Sequence, residues 1–175
     1  MGLAVVAFLA LLAPVLRPVP GALHWERDGP FDAVVTVVDA TGDPAWAKAL
    51  RAAAAEWTAG VDHVRLEVRS GPAGCDAGAG PATVTVCVHP TRAGSRGATF
   101  RHAREDDHMD FVVVHMADDT LRRRLACHEL GHALGLVHRP SGPSCMVSGT
   151  LAEHPDAEDY RTVTAAHAHM DQLWP

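Results

Sequence analysis

The stretch from residue 127 to residue 146, CHELGHALGLVHRPSGPSCM, constrains this chain more than any other. It sets His128, Glu129, His132, Gly135 and His138 in the order H-E-x-x-H-x-x-G-x-x-H. On an α-helix, residues four apart lie one turn apart on the same face. His128 and His132 can therefore aim two imidazoles at one point, and neutral imidazole is a good ligand for Zn²⁺. Glu129 stands beside the first ligand without joining it, where a carboxylate can take a proton from a zinc-bound water. A straight helix would carry His138 away from that point. Glycine adopts positive φ cheaply, so Gly135 can end the helix and turn the chain back, bringing His138 in as a third nitrogen. Three protein ligands leave one position open, the arrangement of a catalytic zinc rather than a closed structural one. The bland alternatives are a helix with three unrelated histidines and a zinc site that does no chemistry.

These residues resemble the zinc-binding motif of the metzincin metalloendopeptidases, and the chain most resembles their matrixin-like secreted members. The resemblance implies an α+β, zincin-like fold: a twisted mixed β-sheet with an early helix, an active-site helix and a C-terminal helix, over residues 23–175. It implies metal ligands at His128, His132 and His138, the base at Glu129, the turn at Gly135, and Met146 as the methionine of a tight turn beneath the metal. The implied activity is a secreted zinc-dependent endopeptidase that hydrolyses peptide bonds in proteins or peptides through a Glu-activated zinc-bound water. Two positions depart from the pattern. Arg139 follows the third histidine, and Val147-Ser148-Gly149 stands where matrixins commonly carry Tyr-Pro. By resemblance alone, residues near Gly97–Arg101 are candidates to hold extended substrate by β-addition, and Asp159 is a candidate partner for a freed N-terminal amine.

Matrixins also carry structural zinc and calcium upstream of the active helix. Here His102, Asp106, Asp107 and His108 do not match the spacing of those sites, so residues 102–108 read as a solvated polar loop, and a structural Ca²⁺ or second Zn²⁺ there lacks support.

Size and charge narrow the function further. The 175 residues suffice for one domain with a substantial core. A formal charge of −6 argues against a nucleic-acid partner, which needs a basic surface. Residues 1–22 hold an apolar run broken by Pro14, Arg17, Pro18 and Pro20, too short for a comfortable membrane span. They read as a secretory signal peptide, with an uncleaved anchor as the alternative. The expected protein is therefore extracellular, without a stable membrane span, and a monomer. Four cysteines agree with export. Three pairings are possible. Cys75–Cys87 with Cys127–Cys145 is preferred, because the second bridge would tie the ligand helix to the methionine turn; a free thiol at Cys127 is the alternative.

Periodicity supplies the elements. Phe31–Asp39 reads as a buried strand. Asp43 and Pro44 start a helix running to about Thr58, whose Trp46 and Trp57 belong to the core. Val64–Arg69, Ala82–Val88, Gly97–Phe100 and Phe111–Met116 read as strands. Asp119 is expected to cap the active helix over residues 120–134. Arg122, Arg123 and Arg124 read as a solvated run. Pro155–Leu173 reads as the last helix, with Val163, Ala166 and Met170 inward and His167 and His169 on the surface. Two further functions stay open: a non-catalytic secreted zinc module that binds a partner through its cleft, and a zinc hydrolase acting on non-peptide substrates.

Overall fold

Valine-rich segments form the centre of the structure, a computed structural model that describes residues 22–27, 31–75, 80–90, 96–118 and 120–168. The N-terminal apolar run up to residue 21, Asp119, His169 and Met170 lie outside these residues. The strands are β1 (His24–Trp25), β2 (Ala33–Asp39), β3 (Val64–Ser70), β4 (Thr83–Val88), β5 (Gly97–Ala103) and β6 (His108–Met116). The helices are α1 (Pro44–Gly60), α2 (Arg122–Ala133) and α3 (Ala157–Ala166).

The sheet runs β3-β2-β4-β6, all parallel, and β5 pairs antiparallel with β6. It is thus a mixed sheet. Alternate residues of the inner strands are sequestered, as a strand covered on one face requires. Val35, Val37, Val84, Val86, Val112 and Val114 are all buried. Helix α1 packs against β3 and α2, while α2 packs against β5 and β6. Asp43 caps α1 by accepting from the Ala45 amide at 2.8 Å, with Pro44 in the first turn. Its buried face carries Trp46, Leu50 and Trp57, as its periodicity requires.

Several boundaries differ from those expected, for local reasons. β5 and β6 extend toward each other through the stretch read as a polar loop. The chain turns at Arg104–Asp107, where the Arg104 amide donates to the His108 carbonyl at 2.8 Å and Asp107 takes φ 66°. Aspartate tolerates that left-handed conformation better than most residues. Within this hairpin His102 stacks on Phe111 and His108 lies 3.1 Å from Asp106. Helix α2 starts at Arg122, two residues later than expected, and among the described residues no side chain caps it. Helix α3 begins at Ala157 rather than Pro155, because Asp156 and Asp159 form a capping box there. It ends at Ala166.

His167 is fully buried, not on the surface. Its Nδ1 faces the Val163 carbonyl at 2.9 Å, so its Nε2 accepts from the Trp25 amide at 3.1 Å. Strand β1 has only two residues, too few for a period to reveal, yet Trp25 is core and its indole donates to the Ala133 carbonyl at 2.9 Å. Both disulfides, Cys75–Cys87 and Cys127–Cys145, are formed.

Trp57 joins α1 to α2: its ring packs beside Gly131 and its indole donates to the Cys127 carbonyl at 3.0 Å. Trp57→Ala is expected to cost about 3–5 kcal/mol of stability in urea denaturation. Trp57→Phe keeps most of the volume and should cost much less, about 1–2 kcal/mol, mainly the hydrogen bond.

Candidate metal centre

The helical spacing of His128 and His132 sets both rings on one stripe of α2, and the turn after α2 brings in the third. Gly135 takes φ 94°. The Leu136 amide donates to the Gly131 carbonyl and the Gly135 amide to the His132 carbonyl, both at 3.0 Å, which is a Schellman closure. A Cβ at Gly135 would also collide with the Leu23 carbonyl. The position therefore excludes other residues on two independent grounds.

His138 then returns to the helix. Its Nε2 lies 3.1 Å from that of His128, and the Nε2 atoms of His128 and His132 are 3.2 Å apart. The three rings form one cluster able to hold a metal ion. Backbone carbonyls set two of the tautomers. His128 Nδ1 faces the Cys145 carbonyl at 2.7 Å, and His132 Nδ1 faces the Leu136 carbonyl at 2.8 Å. A carbonyl only accepts, so both Nδ1 atoms carry the proton and both Nε2 atoms present lone pairs. Lone pairs aimed at each other over such distances repel, and a cation among them converts that repulsion into ligation. Burial, above all, lowers the pKa of both rings, and takes His132 down to about 4 with help from the neighbouring imidazoles and Arg101. Both are neutral near pH 7, the state a metal requires. The donor set suits zinc.

Glu129 is buried beside the cluster. Thr99 on β5 donates to its Oε2 at 2.6 Å, while its Oε1 lies over Gly97, where a Cβ would collide with it. Burial pushes this carboxyl up to about 7, against the opposing effect of Thr99. A cation in the cluster would draw it back down. Nothing in the sequence singles out Thr99 or Gly97 as a partner of Glu129. Their alternation along β5, which runs on past Phe100, is the signal that places both on the α2 side.

The floor beneath is built by the Cys127–Cys145 bridge and the residues after it. Cys145 carries the carbonyl that orients His128, and its sulfur is bound to the residue preceding that histidine. Met146 is fully buried against α2, so close that a Cβ at Gly131 would strike its sulfur. The Met146 carbonyl accepts from the Arg139 amide at 3.0 Å.

Arg139 ties this floor to α3. Its guanidinium pairs with Asp156 at 2.6 Å, with Asp159 at 3.2 Å, and with Glu158. Asp159 also accepts from Ser144, whose hydroxyl in turn receives the Met146 amide at 2.8 Å. Among the described residues, the cation facing Asp159 is thus Arg139, the residue that departs from the matrixin-like pattern.

The cluster opens into a cleft of about 690 Å³ between β5, α2 and the segment after Met146. Arg124 lines it, whereas Arg122 pairs with Asp43 and Asp118, and Arg123 pairs with Glu56. The arginine run is therefore not uniformly solvated. The same four-residue spacing that aligns the two histidines extends back to Arg124.

Arg139→Ala would leave the buried Asp159 carboxylate without its guanidinium. The expected cost in urea denaturation is about 2–3 kcal/mol, below that of a fully buried pair because Arg139 is partly solvated. Arg139→Lys should recover only part, since an ammonium cannot span three carboxylates.

No protein-family profile matches the chain. It is similar to two proteins named extracellular small neutral protease. One, from Streptomyces sp. (strain C5), is 28% identical over 142 residues, 81% of this chain and 57% of the relative. The other, from Streptomyces coelicolor, is 26% identical over 155 residues, 89% of this chain and 62% of the relative. The chain thus spans about three fifths of the length of these relatives. Among solved structures, it shares its fold with the archaemetzincin of Methanopyrus kandleri, at a TM-score of 0.53 and 14% identity, over 79% of this chain and 97% of that one.

Proposed function

We propose that this chain is a zinc-dependent endopeptidase of metzincin type that acts on proteins or peptides outside the cell. In this reading residues 1–22 are a signal peptide and residues 23–175 the catalytic domain. One observation carries it: three imidazole Nε2 atoms converge at the wall of an open cleft, beside a buried carboxylate that is not one of them. The extracellular small neutral proteases that the chain resembles support peptide hydrolysis and export. Among the described residues, no helix is long and apolar enough to cross a membrane.

A zinc ion held by His128, His132 and His138 would supply Lewis acidity, polarising a substrate oxygen and making water easier to deprotonate. Glu129 accepts the proton of the attacking water. Thr99 occupies Oε2, so Oε1, over Gly97, is the oxygen that receives it. When the carbon–nitrogen bond breaks, the same carboxyl delivers that proton to the leaving amine. Thr99 and Gly97 position the base, one by a hydrogen bond and the other by leaving space. Met146 and the Cys127–Cys145 bridge hold the ligand rings against a rigid floor.

Glu129→Gln is expected to keep zinc, measured by elemental analysis, while kcat/KM on a peptide falls by about 10²–10⁴. His138→Ala should instead lose zinc. If the Glu129→Gln protein cleaves at the original rate, the assignment of the base is wrong. Gly97→Ala would force the Glu129 carboxylate aside, so kcat should drop with zinc content unchanged.

A further inference from the structure

The cleft has the opposite charge to the chain. The whole protein carries a formal charge of −6, yet Arg96, Arg101 and Arg124 line the cleft, and among the described residues Glu129 is the one carboxylate lining it. Most arginines nearby are neutralised at close range. Arg122, Arg123, Arg139 and Arg104 each pair with at least one carboxylate. Arg101 and Arg124 do not: among the described residues no carboxylate pairs with either, and the Nε of Arg124 is buried without a hydrogen-bond acceptor.

Their placement follows from the two periods of the chain. On β5, Gly97, Thr99 and Arg101 alternate onto one face, and the first two touch Glu129. On α2, Arg124 stands one turn before His128, which stands one turn before His132. Both guanidinium groups line the cleft beside the histidine cluster, Arg124 near enough to His128 and Arg101 near enough to His132 for each charge to bear on that ring. A guanidinium in a partly desolvated groove matches a carboxylate in both geometry and charge. A groove of one sign set in a body of the other also concentrates ligands of opposite charge.

We propose that this cleft selects peptides with aspartate or glutamate side chains on both sides of the bond to be cleaved, Arg101 and Arg124 each receiving one carboxylate. The proposal rests on the peptidase reading and deepens it. A nucleic acid would meet the negative charge of the rest of the molecule. A chain-terminal carboxylate offers the same chemistry as a side chain, but one terminus engages one guanidinium and leaves the other unmatched. Leu121, Leu125 and Leu151 also line the cleft and give the intervening peptide apolar contact.

The test uses the zinc-loaded protein and blocked peptides, acetylated and amidated, on one scaffold. The residues flanking the scissile bond are Asp/Glu, Asn/Gln or Lys/Arg, and a fourth peptide is neutral with a free C-terminus. The acidic peptides are expected to show kcat/KM at least about tenfold above the amide set at low salt, the gap closing as salt screens it. Arg101→Glu with Arg124→Glu should reverse the order in favour of the basic peptides, with zinc content unchanged. Should that double variant fail to fold, Arg101→Gln and Arg124→Gln singly should each reduce the ratio. Anisotropy of a labelled acidic peptide on zinc-loaded Glu129→Gln protein reads the same preference without turnover. Equal cleavage of the acidic and amide sets overturns the preference and leaves the peptidase reading standing. A free-terminus peptide cut better than the blocked acidic set also overturns it, naming the terminus as the ligand. If folded, zinc-loaded protein cuts none of them, the peptidase reading fails and the preference falls with it.

Discussion

The Nε2 atoms of His132 and His138 each lie about 3 Å from that of His128, and lone pairs turned toward one another at such a distance repel. The surrounding structure opposes that repulsion. Two carbonyls lock His128 and His132 in the required tautomer. One of those carbonyls belongs to Cys145, which a disulfide binds to the residue before His128. The other belongs to Leu136, in the turn that Gly135 makes possible. The orientation of the two imidazoles is thus a property of backbone closure and cross-linking, the kind of support that preorganises a candidate metal site.

The third histidine depends on a different kind of constraint. His138 lies beyond the helix, and its neighbour Arg139 anchors the following loop through an ion-pair network to α3. Ser144 and Asp159 close the same network on Met146. One guanidinium among three carboxylates thus holds this loop together with the Cys127–Cys145 bridge. This makes α3 part of the site although none of its side chains lines the main cleft.

How much of this could be read from the chain alone follows from the range of each interaction. His128, Glu129, His132, Gly135 and His138 were legible because their relation is local: one helical turn, then one left-handed turn. Cys127 and Cys145 were legible as a pair because each neighbours a motif residue. The three-arginine run was not, since consecutive helical positions point about 100° apart and their partners, Asp43 and Glu56, lie far away in the chain. Burial of His167 was equally hidden, because the residues that cover it come from β1, whose two residues carry no period. Asp107 turned a presumed polar loop into a hairpin by accepting a left-handed backbone, a choice open to aspartate but not dictated by it.

The clasp between Trp25 and His167 spans 142 positions, and Arg27 reaches the His167 carbonyl across 140. Both Trp25 and Leu23 press on the end of α2, at Ala133 and Gly135. During vectorial synthesis, residues 22–27 emerge well before α3 yet cannot dock until α3 has left the ribosome. Loop closure over such a separation is slow compared with helix formation. The turn that presents His138 therefore acquires its final support among the last events of folding, and a nascent or truncated chain would hold its sheet before its three histidines converge.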